Sequence, residues 1–210
     1  MIRVLIADDH TIVREGLKQI FMETDDILAS GEAGNGQEVI KKIEKDSYDV
    51  VLLDILLPGK SGLDVLKDIR SISPAQRVLM LSMYPEEQYA IRSLRAGAAG
   101  YLTKESATSE LIHAIRRVAA GRKYITPSLA ERIAVEMEFE NVGPLHESLS
   151  DREYQVLCMI ASGKTVKCIA DDLSLSVKTI STYRSRVLEK MGMKNNADLT
   201  RYAIKNKLVD

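Results

Sequence analysis

The sequence predicts an α/β protein with a five-stranded, doubly wound parallel sheet, followed by a small all-α domain of four helices that contains a helix-turn-helix. Short apolar runs alternate five times with stretches of helical periodicity over about the first 120 residues. Alternation of this kind is typical of parallel strands joined by right-handed helical crossovers. For five such strands, 2-1-3-4-5 is a common strand order. Beyond residue 148, apolar residues recur at helical spacing.

Five apolar runs predict the strands of the sheet. The third run is almost unbroken Val and Leu after Tyr48, stops at Asp54 and precedes Pro58-Gly59. A short apolar run of this kind suits a strand that is buried on both faces. The predicted strands are residues 2–7, 27–33, 48–53, 77–82 and 100–104.

Apolar residues at helical spacing predict a helix after each strand. Asn35-Gly36 marks a turn before the second helix, and Ser61 is placed to cap the third. The predicted helices are residues 11–22, a stripe around 39–43, a helix after Ser61, residues 85–96, and a stripe around 111–118. In the first helix the side expected to face the core is formed by Ile12, Val13, Gly16, Leu17, Ile20 and Phe21.

Polar side chains follow four strands that the predicted order makes neighbours. The carboxyl ends of parallel strands meet at one edge of such a sheet, where open α/β sheets place their ligands. We therefore expect three carboxylates, one hydroxyl and one ammonium group to converge there. They belong to Asp8, Asp9, Asp54, Ser82 and Lys104.

Clustered carboxylates raise one another's pKa, and a hard divalent cation relieves this repulsion. Mg²⁺ is usually held by one or two carboxylates together with phosphate oxygens. Lys104 is suited to pair with a phosphoryl oxygen, and Asp54 is the predicted nucleophile, which would form an aspartyl phosphate. Taken singly, Asp54 could instead be a polar strand end, Ser82 a strand-end hydroxyl and Lys104 a solvated lysine.

Residues 1 to about 120 resemble a response-regulator receiver domain. The resemblance rests on Asp8 and Asp9 after the first strand, Asp54 after the third, Ser82 after the fourth, Tyr101 in the fifth and Lys104 after it. It implies that Asp54 accepts a phosphoryl group from a sensor histidine kinase, with Lys104 and Ser82 as the other catalytic residues.

The same resemblance implies a cation site and a switch. Asp9, Asp54 and the Leu56 carbonyl would hold Mg²⁺ with the assistance of Asp8. Ser82 would turn towards the phosphoryl group, and Tyr101 would rotate inward. One departure from the family pattern is Glu105, which follows the lysine where many receivers have proline.

The middle of the chain is predicted to be a linker. Gly121-Arg122 closes the last helix of the first half, and Thr126-Pro127-Ser128 is typical of a helix start. This helix is expected to run to about residue 140, and residues 141–144, Asn-Val-Gly-Pro, to break it. The predicted organisation is therefore a first domain at 1–122, a linker with one helix at 123–147, and a second domain at 148–210.

Ser150 and Glu153 form a predicted capping box at the start of the second domain. An apolar stripe through Val156 and Ile160 predicts the first helix, and a turn around residues 174–176 joins the next two. Two helices joined in this way form a helix-turn-helix, although any helical bundle could show the pattern. The remaining helices are predicted at 166–173, 177–191 and 197–205.

The third of these helices carries a narrow polar stripe. Lys178, Ser181, Thr182 and Ser185 are spaced to share one face, with arginines on its flanks. Such a stripe suits a helix in the major groove of DNA, whereas the simpler alternative is a solvated face. The charge distribution agrees with DNA binding. Residues 145–210 carry 11 Lys and Arg against 8 Asp and Glu, whereas residues 1–122 carry 16 Lys and Arg against 18 Asp and Glu.

Residues 149–210 are similar to the LuxR-type DNA-binding domain. The similarity rests on Leu-Ser-Asp-Arg-Glu at 149–153, Ile169-Ala170, Leu-Ser-Val-Lys-Thr-Ile at 175–180, Arg184-Ser185, Leu-Glu-Lys-Met-Gly at 188–192 and Ala203-Ile204. It implies that the third helix reads double-stranded promoter DNA and that the fourth forms a dimer contact. The DNA-contacting residues would be Lys178, Thr179, Ser181, Thr182, Tyr183, Arg184 and Ser185, of which Ser181 and Tyr183 depart from the common basic residue and histidine.

Cys158 and Cys168 lie in apolar-periodic stretches without the CxxC spacing of a metal site. We expect both to be buried, reduced thiols. The sequence shows no positively charged, apolar leader and no apolar run of 18 residues. The expected location is the cytoplasm, with no association with a membrane.

Together these observations predict a two-domain response regulator of the NarL/FixJ type. It would be a transcription factor, not an enzyme, that becomes a homodimer on phosphorylation or DNA binding. Two alternatives stay open at this point. A haloacid-dehalogenase-type phosphatase would carry a second aspartate two residues after its nucleophile, where this chain has Leu56. A protein that acts only by docking to another protein would not bind DNA.

Overall fold

The computed structural model describes residues 1–106, 108–138 and 144–209, with the backbone alone described at 135–138. The chain divides into two compact units, Met1–Ala130 and Glu131–Asp210. Each unit is described separately below. The domain limits inferred from the sequence, 1–122, 123–147 and 148–210, stay predictions.

The first unit contains a parallel sheet whose strand order is β2-β1-β3-β4-β5, which confirms the predicted fold class. The strands are β1 (Ile2–Ala7), β2 (Ile27–Ala33), β3 (Val50–Leu53), β4 (Val78–Ser82) and β5 (Gly100–Thr103). The helices that connect and follow them are α1 (Thr11–Met22), α2 (Gly36–Lys45), α3 (Gly62–Ile72), α4 (Glu86–Arg95) and α5 (Thr108–Ala119).

The central strands form the core because their side chains are apolar on both faces. Every residue of β3 and β4 is buried. Helix α3 approaches the end of β3 so closely that a Cβ atom at Gly62 would collide with the Asp54 carbonyl. The Gly62 amide donates a hydrogen bond of 2.9 Å to the Ile55 carbonyl, and Ser61 caps the helix as predicted. Gly62 therefore allows α3 to pack closely against the segment of chain that carries Asp54.

One prediction about helix α1 was wrong. Ile12 is 82% exposed and Gly16 is also exposed, whereas Leu17 and Phe21 are buried. At 3.6 residues per turn, Ile12 lies roughly 140° and Gly16 roughly 100° from Leu17 around the helix axis. The predicted apolar stripe was therefore too wide, and only its central residues face the sheet.

The linker helix begins where the sequence predicted. Helix α6 spans Pro127–Glu138, and the Thr126 hydroxyl accepts a hydrogen bond of 3.2 Å from the Leu129 amide. The break expected after it falls mainly on residues 141–143, which lie outside the described residues. A short 3₁₀ helix, Leu145–Ser148, follows.

The second unit contains α7 (Asp151–Ala161), α8 (Val166–Asp172), α9 (Val177–Lys190) and α10 (Asn196–Lys205). The predicted capping box is present, since the Ser150 side chain accepts from the Glu153 amide and the Glu153 carboxylate accepts from the Ser150 amide. Between α8 and α9, Ser174 has a φ of 53°, which places this turn residue in the left-handed region. The buried apolar residues include Val156, Ile180 and Leu199.

The two cysteines differ from the prediction in their burial. Both are free thiols, but Cys158 is buried and Cys168 is exposed. Helix α8 turns Ile169 and Ala170 inward, and the neighbouring Cys168 therefore falls on the outer side. Among the described residues, none of the helices combines the length and apolar character needed to cross a bilayer.

Candidate functional site

Strand pairing places Asp8 and Asp54 side by side. Ala7, the last residue of β1, pairs with Leu53, the last residue of β3. The Asp54 amide then donates a hydrogen bond of 2.9 Å to the Ala7 carbonyl. The two carboxylates therefore emerge together at the carboxyl edge of the sheet, and both residues are buried, with 2% and 3% exposure.

Lys104 reaches the same edge from β5. Its amide donates a hydrogen bond of 2.7 Å to the carbonyl of Ser82, which ends β4. The Lys104 Nζ atom lies 2.7 Å from Asp54 Oδ2 and 2.5 Å from Asp8 Oδ2. One ammonium group thus bridges two buried carboxylates, and only 8% of the lysine side chain is exposed.

Burial sets the proton affinity of Asp54. It raises the pKa of this carboxyl from 3.8 to about 6, although Lys104 and the Leu56 amide act in the opposite direction. Burial alone would lower the pKa of Lys104, but the charges and hydrogen bonds of Asp54 and Asp8 outweigh it and raise the pKa. Asp54 is therefore mostly a carboxylate at neutral pH, and Lys104 is an ammonium ion.

The donor atoms at this edge fit a small divalent cation. Asp8, Asp9, His10 and Asp54 each offer a ligand atom, and these atoms lie within 4.8 Å of one another. Oxygen donors of this density are what Mg²⁺ requires in proteins. The Leu56 amide donates to Asp54 Oδ1 at 3.2 Å, which brings the main chain of the predicted carbonyl ligand to the same carboxylate.

The two predicted switch residues are buried next to each other. Ser82 is fully buried, and its Oγ accepts a hydrogen bond of 3.2 Å from the Tyr84 amide. Tyr101 is 1% exposed, and its hydroxyl donates a hydrogen bond of 2.7 Å to the Tyr84 carbonyl. The structure thus has Tyr101 in an inward position, and its predicted rotation stays a prediction.

Two features near this edge were missed in the sequence. His10 is one, although it is the third consecutive residue after β1 with a side chain that can bind a metal. The other is the carboxylate of Glu86, at the start of α4, which accepts hydrogen bonds from the Thr126 and Ser128 hydroxyls. Thr126 Oγ1 lies 2.7 Å from one carboxylate oxygen, and Ser128 Oγ lies 2.8 Å from the same oxygen. No sequence signal links positions 40 residues apart.

The segment before Thr126 is also attached to the first unit. The Tyr124 amide donates a hydrogen bond of 2.8 Å to the Ala99 carbonyl, and Tyr124 pairs with Gly100 in an isolated parallel bridge. The Tyr124 hydroxyl lies 2.6 Å from a carboxylate oxygen of Glu110 in α5. The start of the linker therefore packs on β5 and on the helices beside it.

In the second unit, α9 presents the predicted polar stripe to solvent. Its exposed members are Lys178, Ser181, Thr182 and Ser185. The Thr182 and Ser185 hydroxyls each donate a hydrogen bond of 3.0 Å to the carbonyl four residues earlier, which leaves their lone pairs outward as acceptors. An acceptor and a cation on one helix face can contact base edges and phosphates.

The other predicted contact residues are less accessible. Thr179, Tyr183 and Arg184 are half-buried. Thr179 Oγ1 lies 2.8 Å from the hydroxyl of Ser176, the residue that caps α9. Arg184 Nε donates a hydrogen bond of 2.7 Å to Asn196 Oδ1 at the start of α10. Of these three residues, Arg184 joins α9 to α10 and Thr179 contacts the cap of its own helix. The DNA contacts of all three stay predictions.

Comparisons with known proteins match both halves of the chain. The family described as "Response regulator receiver domain" matches residues 4–116, and the family "Bacterial regulatory proteins, luxR family" matches residues 147–203. The response regulator GacA of Pseudomonas viridiflava is 38% identical over 100% of this chain and 99% of that protein. The response regulator UvrY of Escherichia coli (strain K12) is 36% identical over 99% of this chain and 96% of that protein.

A solved structure extends the similarity to three dimensions. It is that of RcsB from Salmonella enterica serovar Typhimurium, bound to promoter rprA in the presence of phosphomimetic BeF₃⁻. It has a TM-score of 0.62 and 26% sequence identity, and the match covers 96% of this chain and 98% of that chain.

Proposed function

This chain belongs to the two-domain response regulators of the NarL/FixJ type, and from that premise we propose that Asp54 is its phosphoacceptor and that phosphorylation controls how its second unit binds promoter DNA. The phosphoryl donor is a sensor histidine kinase. The observation that carries the proposal is the buried bridge from Lys104 to Asp8 and Asp54. Because the family consists of DNA-binding regulators, the proposed purpose of phosphorylation is to control DNA binding. Turnover of a substrate is not part of the proposal.

The transfer forms one bond and breaks another. A carboxylate oxygen of Asp54 bonds to phosphorus as the bond between phosphorus and the kinase histidine breaks. Since the pKa of Asp54 is about 6, the attacking oxygen is ionised at neutral pH. Lys104 is placed to stabilise charge on the phosphoryl oxygens, which is the main contribution a protein makes to this reaction.

Mg²⁺ would be held by Asp9, Asp54 and the Leu56 carbonyl, with Asp8 assisting. When bound, it neutralises charge on the transferred group. Ser82 is then the hydroxyl that turns towards the phosphoryl group. Its movement would disturb the chain at Tyr84, whose amide donates to Ser82 and whose carbonyl accepts from Tyr101. Ser82, Tyr84 and Tyr101 together are the proposed two-state element. Its change of state either frees the second unit or promotes a two-fold homodimer.

The phosphoacceptor assignment is tested with radiolabelled acetyl phosphate and Mg²⁺. Wild-type protein should be labelled, and Asp54→Asn should abolish the label because the amide is not a nucleophile. Asp68→Asn is the matched control, since Asp68 is a half-buried aspartate on α3 whose carboxylate pairs with Lys60. Persistent labelling of Asp54→Asn would remove Asp54 from the nucleophile role.

DNA binding is proposed for α9, with its stripe in the major groove of a promoter. RcsB is seen on promoter DNA in its own structure, and the similarity makes the same use of α9 the simplest expectation. The residues expected to contact DNA are Lys178, Thr179, Ser181, Thr182, Tyr183, Arg184 and Ser185. The protein would act in the cytoplasm, where kinase and DNA meet.

The salt dependence of binding tests the role of Lys178. Each lysine–phosphate contact contributes about 0.9 to the slope of log K against log salt concentration. Lys178→Ala should weaken binding to a selected genomic fragment and lower that slope by about 1. Lys164→Ala is the control, because this lysine of the same unit lies outside α9 and pairs with Asp172 at 2.7 Å. An unchanged slope in Lys178→Ala would exclude a phosphate contact there.

A further inference from the structure

We propose that Glu86 holds the start of the linker in a clasp that opens when Asp54 is phosphorylated, while the rest of the linker start stays attached. The clasp is the set of hydrogen bonds from the Thr126 and Ser128 hydroxyls to the Glu86 carboxylate, and the strap is the segment 123–128 that carries it. The inference rests on the proposed function, because phosphorylation of Asp54 is the signal. It names the contact through which that signal would reach the linker.

The strap is attached to the first unit at two places that differ in character. At the first, the Tyr124 amide donates a hydrogen bond of 2.8 Å to the Ala99 carbonyl, and the Tyr124 hydroxyl donates one of 2.6 Å to the Glu110 carboxylate. Tyr124 is 7% exposed and belongs to the apolar core around the sheet. At the second, the contacts are side-chain hydrogen bonds to Glu86, and Ser128 is exposed. The attachment at Tyr124 is therefore the firmer one.

The clasp lies close to the proposed two-state element, since Glu86 is four positions after Ser82. Ser82 Oγ accepts a hydrogen bond of 3.2 Å from the Tyr84 amide. The centroid of the Tyr84 ring lies 5.0 Å from that of Tyr89, which is fully buried one turn into α4. A turn of Ser82 towards a phosphoryl group would break its bond to Tyr84. The displaced Tyr84 would then shift the first turn of α4, which carries Glu86.

The surroundings of Glu86 allow the clasp to open. The N-cap residue of α4 is Pro85, whose side chain makes no capping hydrogen bond. A cavity of about 280 Å³ adjoins the clasp, and its lining includes Met83, Glu86, Thr103 and Ser128. The carboxylate can therefore leave the two hydroxyls and turn to water without disrupting a packed apolar core. Contacts of this kind are typical of segments that open locally.

Thr126 connects the clasp to helix α6. Its hydroxyl donates a hydrogen bond of 2.7 Å to Glu86 and accepts one of 3.2 Å from the Leu129 amide, in the first turn of α6. Donation to a carboxylate strengthens the same hydroxyl as an acceptor. Opening of the clasp would thus weaken the hold on the start of α6. The helix could then turn about Ile125, which lies between the two attachments and is 38% exposed.

The test is residue-resolved hydrogen exchange of the full chain by NMR, with and without Mg²⁺ and BeF₃⁻ as the phosphoryl mimic. BeF₃⁻ should speed exchange of the Leu129 amide in wild-type protein by about 30-fold, which is about 2 kcal/mol at 1.4 kcal/mol per factor of ten. The Tyr124 amide should not change. Glu86→Ala should show the faster exchange at Leu129 without BeF₃⁻. Glu44→Ala, which removes an exposed glutamate of α2, is the matched control and should leave both amides unchanged.

A second variant makes the test independent of any damage to α4. Ser128→Ala removes one bond of the clasp from the side of the strap, so it should also speed exchange at Leu129. Glu86→Ala combined with Ser128→Ala should exchange no faster than Glu86→Ala alone, because both changes remove the same bond. Fully additive effects would overturn the inference. Equal acceleration at Leu129 and Tyr124 would overturn it too, since the whole strap would then detach at once.

A DNA-binding measurement connects the clasp to output. BeF₃⁻ should stimulate binding of the selected genomic fragment by a smaller factor in Glu86→Ala than in wild-type protein, because part of the switch is already open in the variant. Equal stimulation in the two proteins would refute the role of the clasp.

The outcomes separate the inference from the proposed function. If acetyl phosphate labels Asp54 while BeF₃⁻ leaves exchange at Leu129 unchanged, the inference fails and the phosphoacceptor assignment stands. If Asp54 is not labelled, the proposed function fails, and the inference fails with it.

Discussion

Asp54→Asn should stabilise the first unit at neutral pH when no divalent cation is present. The pKa of Asp54 is raised from 3.8 to about 6, chiefly by burial. A raised carboxyl pKa means that the folded protein binds the proton more tightly than the unfolded chain does. Stability therefore falls as pH rises from about 4 to about 6 and stays lower above that.

The magnitude follows from the size of this pKa shift. At about 1.4 kcal/mol per pKa unit, the ionised Asp54 carboxylate costs about 3 kcal/mol of folding free energy at pH 8 relative to pH 4. Asparagine cannot ionise, so the variant should escape this cost. The difference in free energy of unfolding between variant and wild type should thus grow between pH 4 and pH 6 and then level off.

The assay is hydrogen exchange of backbone amides in β1 and β3, measured by mass spectrometry in EDTA from pH 4 to pH 8. These strands belong to the first unit, so the result does not depend on how the second unit unfolds. The control is Asp25→Asn, an exposed aspartate at the surface, which should show no such trend. A variant less protected than wild type at pH 8 would contradict burial as the source of the shift.

Three further predictions concern the site and the second unit. Lys104→Met should raise the pKa of Asp54 further, because the lysine charge lowers it; carbon NMR of the carboxyl would show an unchanged pKa if this were wrong. Iodoacetamide should modify Cys168 in the native protein and Cys158 only after unfolding; equal rates would contradict their burial. Ser150→Ala should cost about 1 kcal/mol of unfolding free energy in the second unit through loss of its capping box; a cost below about 0.3 kcal/mol in urea titrations would refute that role.

The features that could be predicted from sequence are those set by local pattern or by strand order. The capping box of Ser150 and Glu153 needs only residues three apart, and it is present. Asp8 and Asp54 are 46 residues apart in the chain, but they follow strands that a 2-1-3-4-5 sheet makes neighbours, and they meet as expected. Because this strand order is common for five parallel strands, the positions of the two carboxylates could be predicted from the sequence.

The features that could not be predicted depend on the exact direction of side chains. Apolar character placed Ile12 and Cys168 in the core, but each falls on the outer side of its helix. The bonds from Thr126 and Ser128 to Glu86 join side chains that neither periodicity nor strand order relates. Surface hydrogen bonds of this kind need coordinates, since many other pairings would satisfy the same sequence.

The hydrogen bonds to Glu86 contribute to the free-energy difference between the two states of the proposed switch. Only three residues separate Ser82, at the end of β4, from Glu86, at the start of α4. Hydrogen bonds to a charged group contribute about 1.5–3 kcal/mol each, and the lower figure suits a half-buried carboxylate. The Thr126 bond is half-buried and the Ser128 bond is exposed to solvent, so together they contribute about 2 kcal/mol. Moving a two-state equilibrium from 1:99 to 99:1 takes about 5.5 kcal/mol. Breaking these bonds would therefore account for roughly a third of a complete switch, and repacking around Ser82 and Tyr101 would have to supply the remainder.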